Sequence, residues 1–600
     1  MQSMTPLNDI TRLLSAVAMG RKKADMVIKN GNLINVNTLE IISGVDVAIK
    51  ADRIALVGSA DHCLGGETEV IDATAKYITP GFMDGHIHVE SSFLTVSQYS
   101  HSVVPHGTSA IFMDPHEIAN VLGMRGVDLM VDESKALPLR VYTTLPSCVP
   151  AAPGLEDTGA EITAKEIAKQ IKQEAFIGLG EMMNFPGVIQ SDEQVHQAIT
   201  STLKAGKCVT GHFSIPETGK MLNAYIGAGL RSCHETVRYE DAIAKMRLGM
   251  YVKIREGSAW HDLKEVIKSI TQHKISSRFA ILVSDDSHPE TLIKNGHMDY
   301  IVRRAIEEGV SPVEAISMVT LNVAECFYLT PDFGSVSPGK IADINILDDL
   351  ETVKVDKVLI SGKLVAEKGV LKEKPPLVSY PAWAKNTVKL KQPIIESDFD
   401  IKSDLARVRV NAIQIEEAKV GTKCKIVELE TQNGCVMANI EKNIAKVAVF
   451  ERHHLTGSRA VGFVKGFRFK RGAVASTYAH DAHNLLIVGT NDTDMAMAGN
   501  SLAKIGGGMM AVNEGEVVAQ VELPIAGLMS DQSAEIVQAA IQQLEKAWEI
   551  LGCDLVSPFM TMALMALPVI PDIRITNRGL FDVNTFQFID TILGNSKNDL

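Results

Sequence analysis

The chain has 600 residues, too many for one hydrophobic core, so two to four domains are expected. An apolar share of 46% with 5% aromatics describes an ordinary globular protein, and a net charge of −13 argues against nucleic acid or an acidic membrane as the main partner. No apolar run is long enough to cross a bilayer, Met1 to Asn30 lacks the pattern of a signal peptide, and the eight cysteines form no C-x-x-C pair, so a cytoplasmic enzyme without a disulfide framework or zinc ribbon is expected.

In chain order, residues 1–24 read as an N-terminal helical segment. From Asp25 the texture becomes short alternating strands: 25–31 predicts a strand closed by an Asn30-Gly31 turn, and 45–49 and 53–58 follow. The same texture returns at 342–347 and 355–362. Neither flank could build a core alone, so one composite β-sandwich is expected from 25–78 plus 334–372.

Between the flanks, residues 79–333 alternate strand and helix. Strands are predicted at 81–89, 108–114, 139–146, 175–182, 207–212, 230–234, 249–254 and 279–284, with helices over 163–173, 192–205, 239–248 and 262–273 among the connections. Eight βα units in about 250 residues suit an α/β (β/α)₈ TIM barrel, with a doubly wound open sheet as the alternative. Past Pro375-Pro376, residues 377–600 mix β-type runs with a helix over 533–550 and read as a separate α+β domain.

Barrel enzymes keep their chemistry where strands end, and here the predicted strand ends are rich in ionisable residues. The first ends in His86-Ile87-His88-Val89-Glu90, and residues two apart on a strand face the same way. The second ends in Asp114-Pro115-His116-Glu117, the fourth in Glu181, the fifth in His212, the sixth in His234-Glu235 and the eighth in Asp285-Asp286. A lone histidine there is ordinarily structural, and Asp286 could cap the following helix. Four histidines and two carboxylates on one rim are another matter: burying them is costly unless something pairs them, and a metal pair does. Imidazoles and carboxylates without thiolates suit Mn²⁺, Fe²⁺ or Zn²⁺. A bridging water would become a hydroxide nucleophile, with Asp285 placed to accept its proton.

These residues resemble the amidohydrolase superfamily. Residues 70–88, ending in Pro80-Gly81-Phe82-Met83-Asp84-Gly85-His86-Ile87-His88, look like its lead into the first strand, and 334–343 look like its return to the β-sandwich. Within the superfamily the chain resembles the bacterial adenine deaminases over essentially its whole length: His86-Ile87-His88-Val89-Glu90-Ser91-Ser92, Met113-Asp114-Pro115-His116-Glu117, Gly180-Glu181-Met182-Met183-Asn184, Val283-Ser284-Asp285-Asp286, and His480-Asp481-Ala482-His483 with Gly506-Gly507-Gly508 in the third domain. The resemblance implies deamination of adenine to hypoxanthine by a metal-bound hydroxide attacking C6. It also implies two divalent ions, Mn²⁺ foremost with Fe²⁺ or Zn²⁺ as alternatives, held by His86, His88, Glu181, His212, His234 and Asp285, with Glu181 as the bridge. Glu181 stands where many relatives carry a modified lysine, and single-metal relatives use the strand-six histidine to orient water, which leaves two roles open for His234.

Asp285, Glu90 and Glu117 are the catalytic candidates, though Glu90 and Glu117 could instead orient metal-bound imidazoles. Asp286, Ser92 and Asn184 are the substrate-side candidates, and Asp114 and His116 are candidates for supporting the ligands. His480-Asp481-x-His483 is read as a hydrogen-bonded turn, with metal binding or reach to the active site as the other options. Gly506–Gly508 lacks the lysine of a P-loop and is read as a tight turn or close domain contact. The expected partner is a small purine base, not nucleic acid or membrane, and a homo-oligomer is expected. The rival readings are another amidohydrolase acting on a cyclic amide or N-acetyl sugar, and a non-enzymatic barrel scaffold.

Overall fold

Strands that are buried on both faces read as short continuous apolar runs, such as Ala280-Ile281-Leu282-Val283. In a computed structural model, which describes residues 4–258, 260–374, 378–416, 421–555 and 557–593, such runs form β1 (Phe82–Ile87), β2 (Thr108–Met113), β3 (Arg140–Leu145), β4 (Phe176–Met182), β5 (Cys208–Gly211), β6 (Ser232–Cys233), β7 (Tyr251–Arg255) and β8 (Ala280–Val283). Each pairs in parallel with the next. The two ends then meet: Ile87 bridges Asp285, the His88 amide donates to the Asp285 carbonyl (3.0 Å), and the Asp285 amide donates to the His86 carbonyl (3.1 Å). An open doubly wound sheet would leave β1 and β8 as free edges; the barrel is closed instead.

Helices Ala164–Gln170, Glu193–Lys204 and Tyr239–Arg247 fill connections where periodicity predicts them. The segment expected as one helix over 262–273 forms two short ones, Leu263–Val266 and Lys268–Thr271.

The flanks join through Tyr77–Pro80, which pairs in parallel with Met26–Asn35 on one side and antiparallel with Ile344–Asp349 on the other. Nine strands from both flanks thereby share one hydrogen-bonded sheet over a common core that includes Ile28, Val47, Ile78 and Ile344. The Asn30-Gly31 pair makes no hairpin turn. Met26–Asn35 continues through it with a register shift, because Leu33 and Ile34 beyond it are buried and pair with Ile42 and Ile41. Asn30 takes φ 61°, and a Cβ on Gly31 would lie 2.4 Å from Ile78, so the pair is a bulge that lets the next strand approach.

The third region has a nine-stranded sheet, a three-stranded sheet and the long helix Ala534–Leu551. The boundary residues Pro375 and Pro376 lie outside the described residues. Gly506–Gly508 all take positive φ and turn the chain into strand Gly508–Asn513, with close approaches inside this region. The region docks on the barrel through a shared apolar cluster that includes Phe93, Leu94, Tyr478, Met529 and Phe559. Polar contacts reinforce it: the Ser530 amide donates to the Phe93 carbonyl (2.8 Å), and Arg578 pairs with Asp157 (2.6 Å). Among the described residues no helix is long and apolar enough to cross a membrane.

Candidate metal centre

The six residues expected at the rim converge. His88 Nε2 lies 3.3 Å from Glu181 Oε1 and 3.2 Å from Asp285 Oδ1, and His86 Nε2 lies 3.3 Å from the same Asp285 oxygen. On the other side, His212 Nδ1 is 2.6 Å and His234 Nε2 3.0 Å from Glu181 Oε2. Glu181 thus turns one oxygen to His88 and the other to His212 and His234. Asp285 adopts φ 61°, an unfavourable conformation for a non-glycine residue, immediately after the backbone bonds that close the barrel. His86 stacks on His234 with ring centroids 4.1 Å apart.

The surroundings prepare these groups as donors. His88 Nδ1 donates to the Asp114 carbonyl (2.9 Å), which fixes the tautomer and leaves the Nε2 lone pair facing the cluster. Asp114 Oδ2 accepts the Glu181 amide (2.8 Å), and the His212 amide donates to Tyr225, whose hydroxyl donates to the Met182 carbonyl. Burial pushes Glu181 and Asp285 up, but the surrounding imidazoles outweigh it and hold both carboxyls well below the usual range. Burial, reinforced by the charge of His86, pushes His234 down to about 3, so its ring is neutral.

Buried groups this polar should be paired, yet His86 Nε2 and Glu181 Oε1 find no hydrogen-bond partner. Their atoms belong to overlapping triads (His86-His88-Glu181, His86-His234-Asp285, Glu181-His212-His234) in which the donor atoms lie within 4.8 Å of one another. Imidazole nitrogens, ionised carboxylates, no thiolate and unpartnered buried atoms fit divalent ions of the manganese, iron and zinc class.

The cluster floors a cavity of about 410 Å³. His88, Glu181, His212, His234 and Asp285 line it, as does Asp286. Asp286 caps nothing: His288 is the residue preceding the next helix, Pro289–Lys294, while Asp286 Oδ2 accepts the Trp260 indole N–H (2.7 Å). Burial and then the neighbouring Asp285 raise its pKa. Glu117 also lines the cavity, but Glu90 does not; Glu90 accepts the Ile118 amide (3.1 Å), and burial followed by the charge of Glu117 raises it to about 7. Ser92 and Asn184 do not line the cavity either. The Ser92 hydroxyl donates to the Val89 carbonyl, and Asn184 caps helix Phe185–Ile189. Their polar atoms are spent on local backbone.

His116 sits closer to the centre than a supporting role requires, with Nδ1 3.2 Å from Glu181 Oε1 and within a triad of its own with Asp114 and Glu181. The His480-Asp481-x-His483 segment is more than a local turn. His480 Nδ1 lies 3.0 Å from Glu117 Oε1, His483 Nε2 contacts Glu117 Oε2, and His480 and Asp481 line the cavity. Sequence reasoning noted Glu235 at the end of the sixth strand and Met183 beside Glu181 without assigning either a role, and missed Arg255, Trp260, Leu564 and Leu567; together these complete the walls. Arg255 ends β7 on the same rim, and Trp260 is one of only three tryptophans, so both carried a signal. Leu564 and Leu567 carried none, because only domain docking brings them there.

Comparison with known proteins agrees with this geometry. Residues 77–365 match the amidohydrolase family, and residues 419–587 match the adenine deaminase C-terminal domain. A protein named adenine deaminase from Clostridium botulinum (strain 657 / Type Ba4) is 54% identical over 589 residues, covering 98% of both chains. One of the same name from Moorella thermoacetica is 54% identical over 591 residues, covering 98% of this chain and 99% of its own. Another from Mesorhizobium japonicum is 45% identical over 589 residues, covering 98% of this chain and 97% of its own.

Proposed function

The chain belongs to the adenine deaminase family of the amidohydrolases, and we propose that it hydrolyses adenine to hypoxanthine and ammonia at this cluster. The observation that carries the reading is the convergence of His86, His88, Glu181, His212, His234 and Asp285 on one floor, beneath a cavity that also gathers Asp286, Trp260 and apolar side chains.

We assign the six residues as ligands of two divalent ions, Mn²⁺ foremost, with Glu181 as the bridge. When bound, such a pair supplies a Lewis acid that acidifies water to near-neutral pH. Asp285 sits at the centre of the floor, facing both His86 and His88, and is placed to take the proton released by the attacking water. Asp286, oriented by Trp260 and turned into the cavity, is placed to hold the purine edge and pass a proton toward the ring nitrogen or the departing amine. Glu117 is held as an ionised carboxylate: burial opposes this, but His480 and His483 outweigh it. It therefore serves better as an anchor than as an acid. Trp260, Met183, Leu564 and Leu567 provide an apolar wall for a flat heterocycle and exclude water.

The test is an absorbance assay with adenine and adenosine side by side, with and without chelator. Turnover of adenine that is abolished by chelator and restored by Mn²⁺ is the expected result. Turnover of adenosine but not adenine would overturn the substrate, and full activity after metal removal would overturn the role of the cluster.

A further inference from the structure

Beside the centre lies a second group of donors, of which the proposed deamination uses only Glu117, as an anchor. His116 and Glu117, from the barrel, face His480 and Asp481, from the C-terminal region. His116 Nε2 lies 3.9 Å from Glu117 Oε1 and 3.9 Å from Asp481 Oδ2. His480 Nδ1 lies 3.0 Å from Glu117 Oε1 and 3.4 Å from Asp481 Oδ1. All four residues are at least nine-tenths buried.

Ordinary hydrogen bonding leaves this group unsatisfied. His480 Nδ1 carries at most one hydrogen, yet two carboxylates face it. Asp481 Oδ2 finds no hydrogen-bond partner although buried. His116 presents Nδ1 to Glu181 Oε1 at 3.2 Å. Its Nε2 then faces two carboxylates at a spacing longer than a hydrogen bond, and His116, Glu117 and Asp481 each present a ligand atom within 4.8 Å of the others. Bonds of about 2.0–2.2 Å to one ion place its ligand atoms roughly 3–4 Å apart, the spacing seen here.

We propose that His116 Nε2, Glu117, His480 Nδ1 and Asp481 form an additional divalent-cation site that joins the barrel to the C-terminal region. Two nitrogens and two carboxylates select the same class of ion as the floor of the barrel, Mn²⁺, Fe²⁺ or Zn²⁺. Two ligands come from each side, so the ion fixes the C-terminal region over the cavity and holds Leu564 and Leu567 in its wall. Through Nδ1 of His116 it also orients Glu181.

The experiment is equilibrium dialysis of the metal-stripped full-length protein against Mn²⁺, with anomalous diffraction at the manganese edge on the same preparation. The wild-type chain is expected to bind one Mn²⁺ more than Asp481→Asn and His480→Gln, and to show an anomalous peak between His116, Glu117 and Asp481. In Glu181→Gln that peak persists while the floor loses metal, which separates this site from the centre proposed above. Equal stoichiometry in the wild type and both variants overturns the proposal. So does a wild-type map with no peak at these residues, which decides the matter even if the variants fail to fold.

Discussion

Arg255 Nη1 lies 3.2 Å from Asp285 Oδ2, the oxygen opposite the one that faces His86 and His88. The guanidinium also pairs with Asp262 (2.7 Å) and Glu235 and lies over the Trp260 ring at 4.3 Å. One fixed fork therefore orients the carboxylate proposed as ligand and base, a second cavity carboxylate, and the indole that holds Asp286. Removing such a partner of a ligating group costs about 10–100-fold in metal affinity or activity. Arg255→Gln is expected to lose that much in adenine turnover and to need more Mn²⁺ for half-maximal activity. Arg255→Lys recovers little, because an ammonium cannot serve three carboxylates in one plane. Wild-type kcat and Mn²⁺ dependence in both variants would refute the positioning role.

Four imidazoles crowd the Glu181 carboxylate, with His88, His116, His212 and His234 all within 3.3 Å of its oxygens. A carboxamide offers one acceptor where two are used. Glu181→Gln is expected to retain less bound metal after desalting and to lose at least about 100-fold in adenine turnover. Metal analysis beside the rate measurement checks both. Retention of the full metal complement would remove Glu181 from its proposed bridging role.

The floor was legible in the sequence because strand periodicity and barrel geometry do most of the placing. His86 and His88 are two apart where β1 ends, and Glu181, His212, His234 and Asp285 each fall at or just past the end of a strand whose apolar run is recognisable. What periodicity does not encode stayed hidden. His116 reaches Glu181 only through the path of the chain after β2, at Pro115. The grip of His480 and His483 on Glu117 depends on how two domains dock, and no local pattern reports that. Ser92 and Asn184 lie beside true floor residues in sequence, but their short side chains bond to nearby backbone instead. The Asn30-Gly31 bulge was misread because the same dipeptide suits both a turn and a bulge, and only pairing with the returning strand decides.

A pH effect on stability is expected away from the metal centre. His106 Nδ1 lies 2.9 Å from Asp299 Oδ2, and Asp299 is fixed by the amides of His297 and Tyr300, both 2.8 Å from its other oxygen. Burial lowers the His106 pKa, but the hydrogen bond and charge of Asp299 outweigh it and the net shift is upward. A raised folded-state pKa means that the folded protein holds this proton more tightly than the unfolded chain. The contribution is complete below the ordinary imidazole value of 6.5 and disappears as pH rises through the raised one. His106 is about a third exposed, so the effect is of the order of 1 kcal/mol or less. His106→Gln should therefore destabilise the protein in urea unfolding at pH 6 and much less at pH 9. An equal penalty at both values would show that packing, not charge, is responsible.

Gly508 takes φ +132°, and a Cβ there would stand 1.9 Å from the Val521 carbonyl oxygen and 3.0 Å from the Leu523 amide nitrogen. Both are backbone atoms of the partner strand and its end, so no side-chain rotation relieves the clash. The Gly508 amide also donates to Thr477 Oγ1 (2.7 Å), and the Thr477 amide donates to the Gly508 carbonyl (2.9 Å), just ahead of His480. Gly508→Ala must therefore push apart the Gly508–Asn513 and Glu516–Glu522 strands or move the segment that delivers His480 and Asp481 to the cavity. A loss of about 3 kcal/mol or more is expected, with reduced adenine turnover in the fraction that folds. Gly515 is the control: its φ is also positive (+76°), but a Cβ there meets nothing within 4 Å. Gly515→Ala should cost only the conformational penalty of about 1 kcal/mol and leave turnover unchanged. Urea unfolding of the two variants together separates steric overlap from backbone preference, and equal losses would show that the close approach at Gly508 contributes nothing.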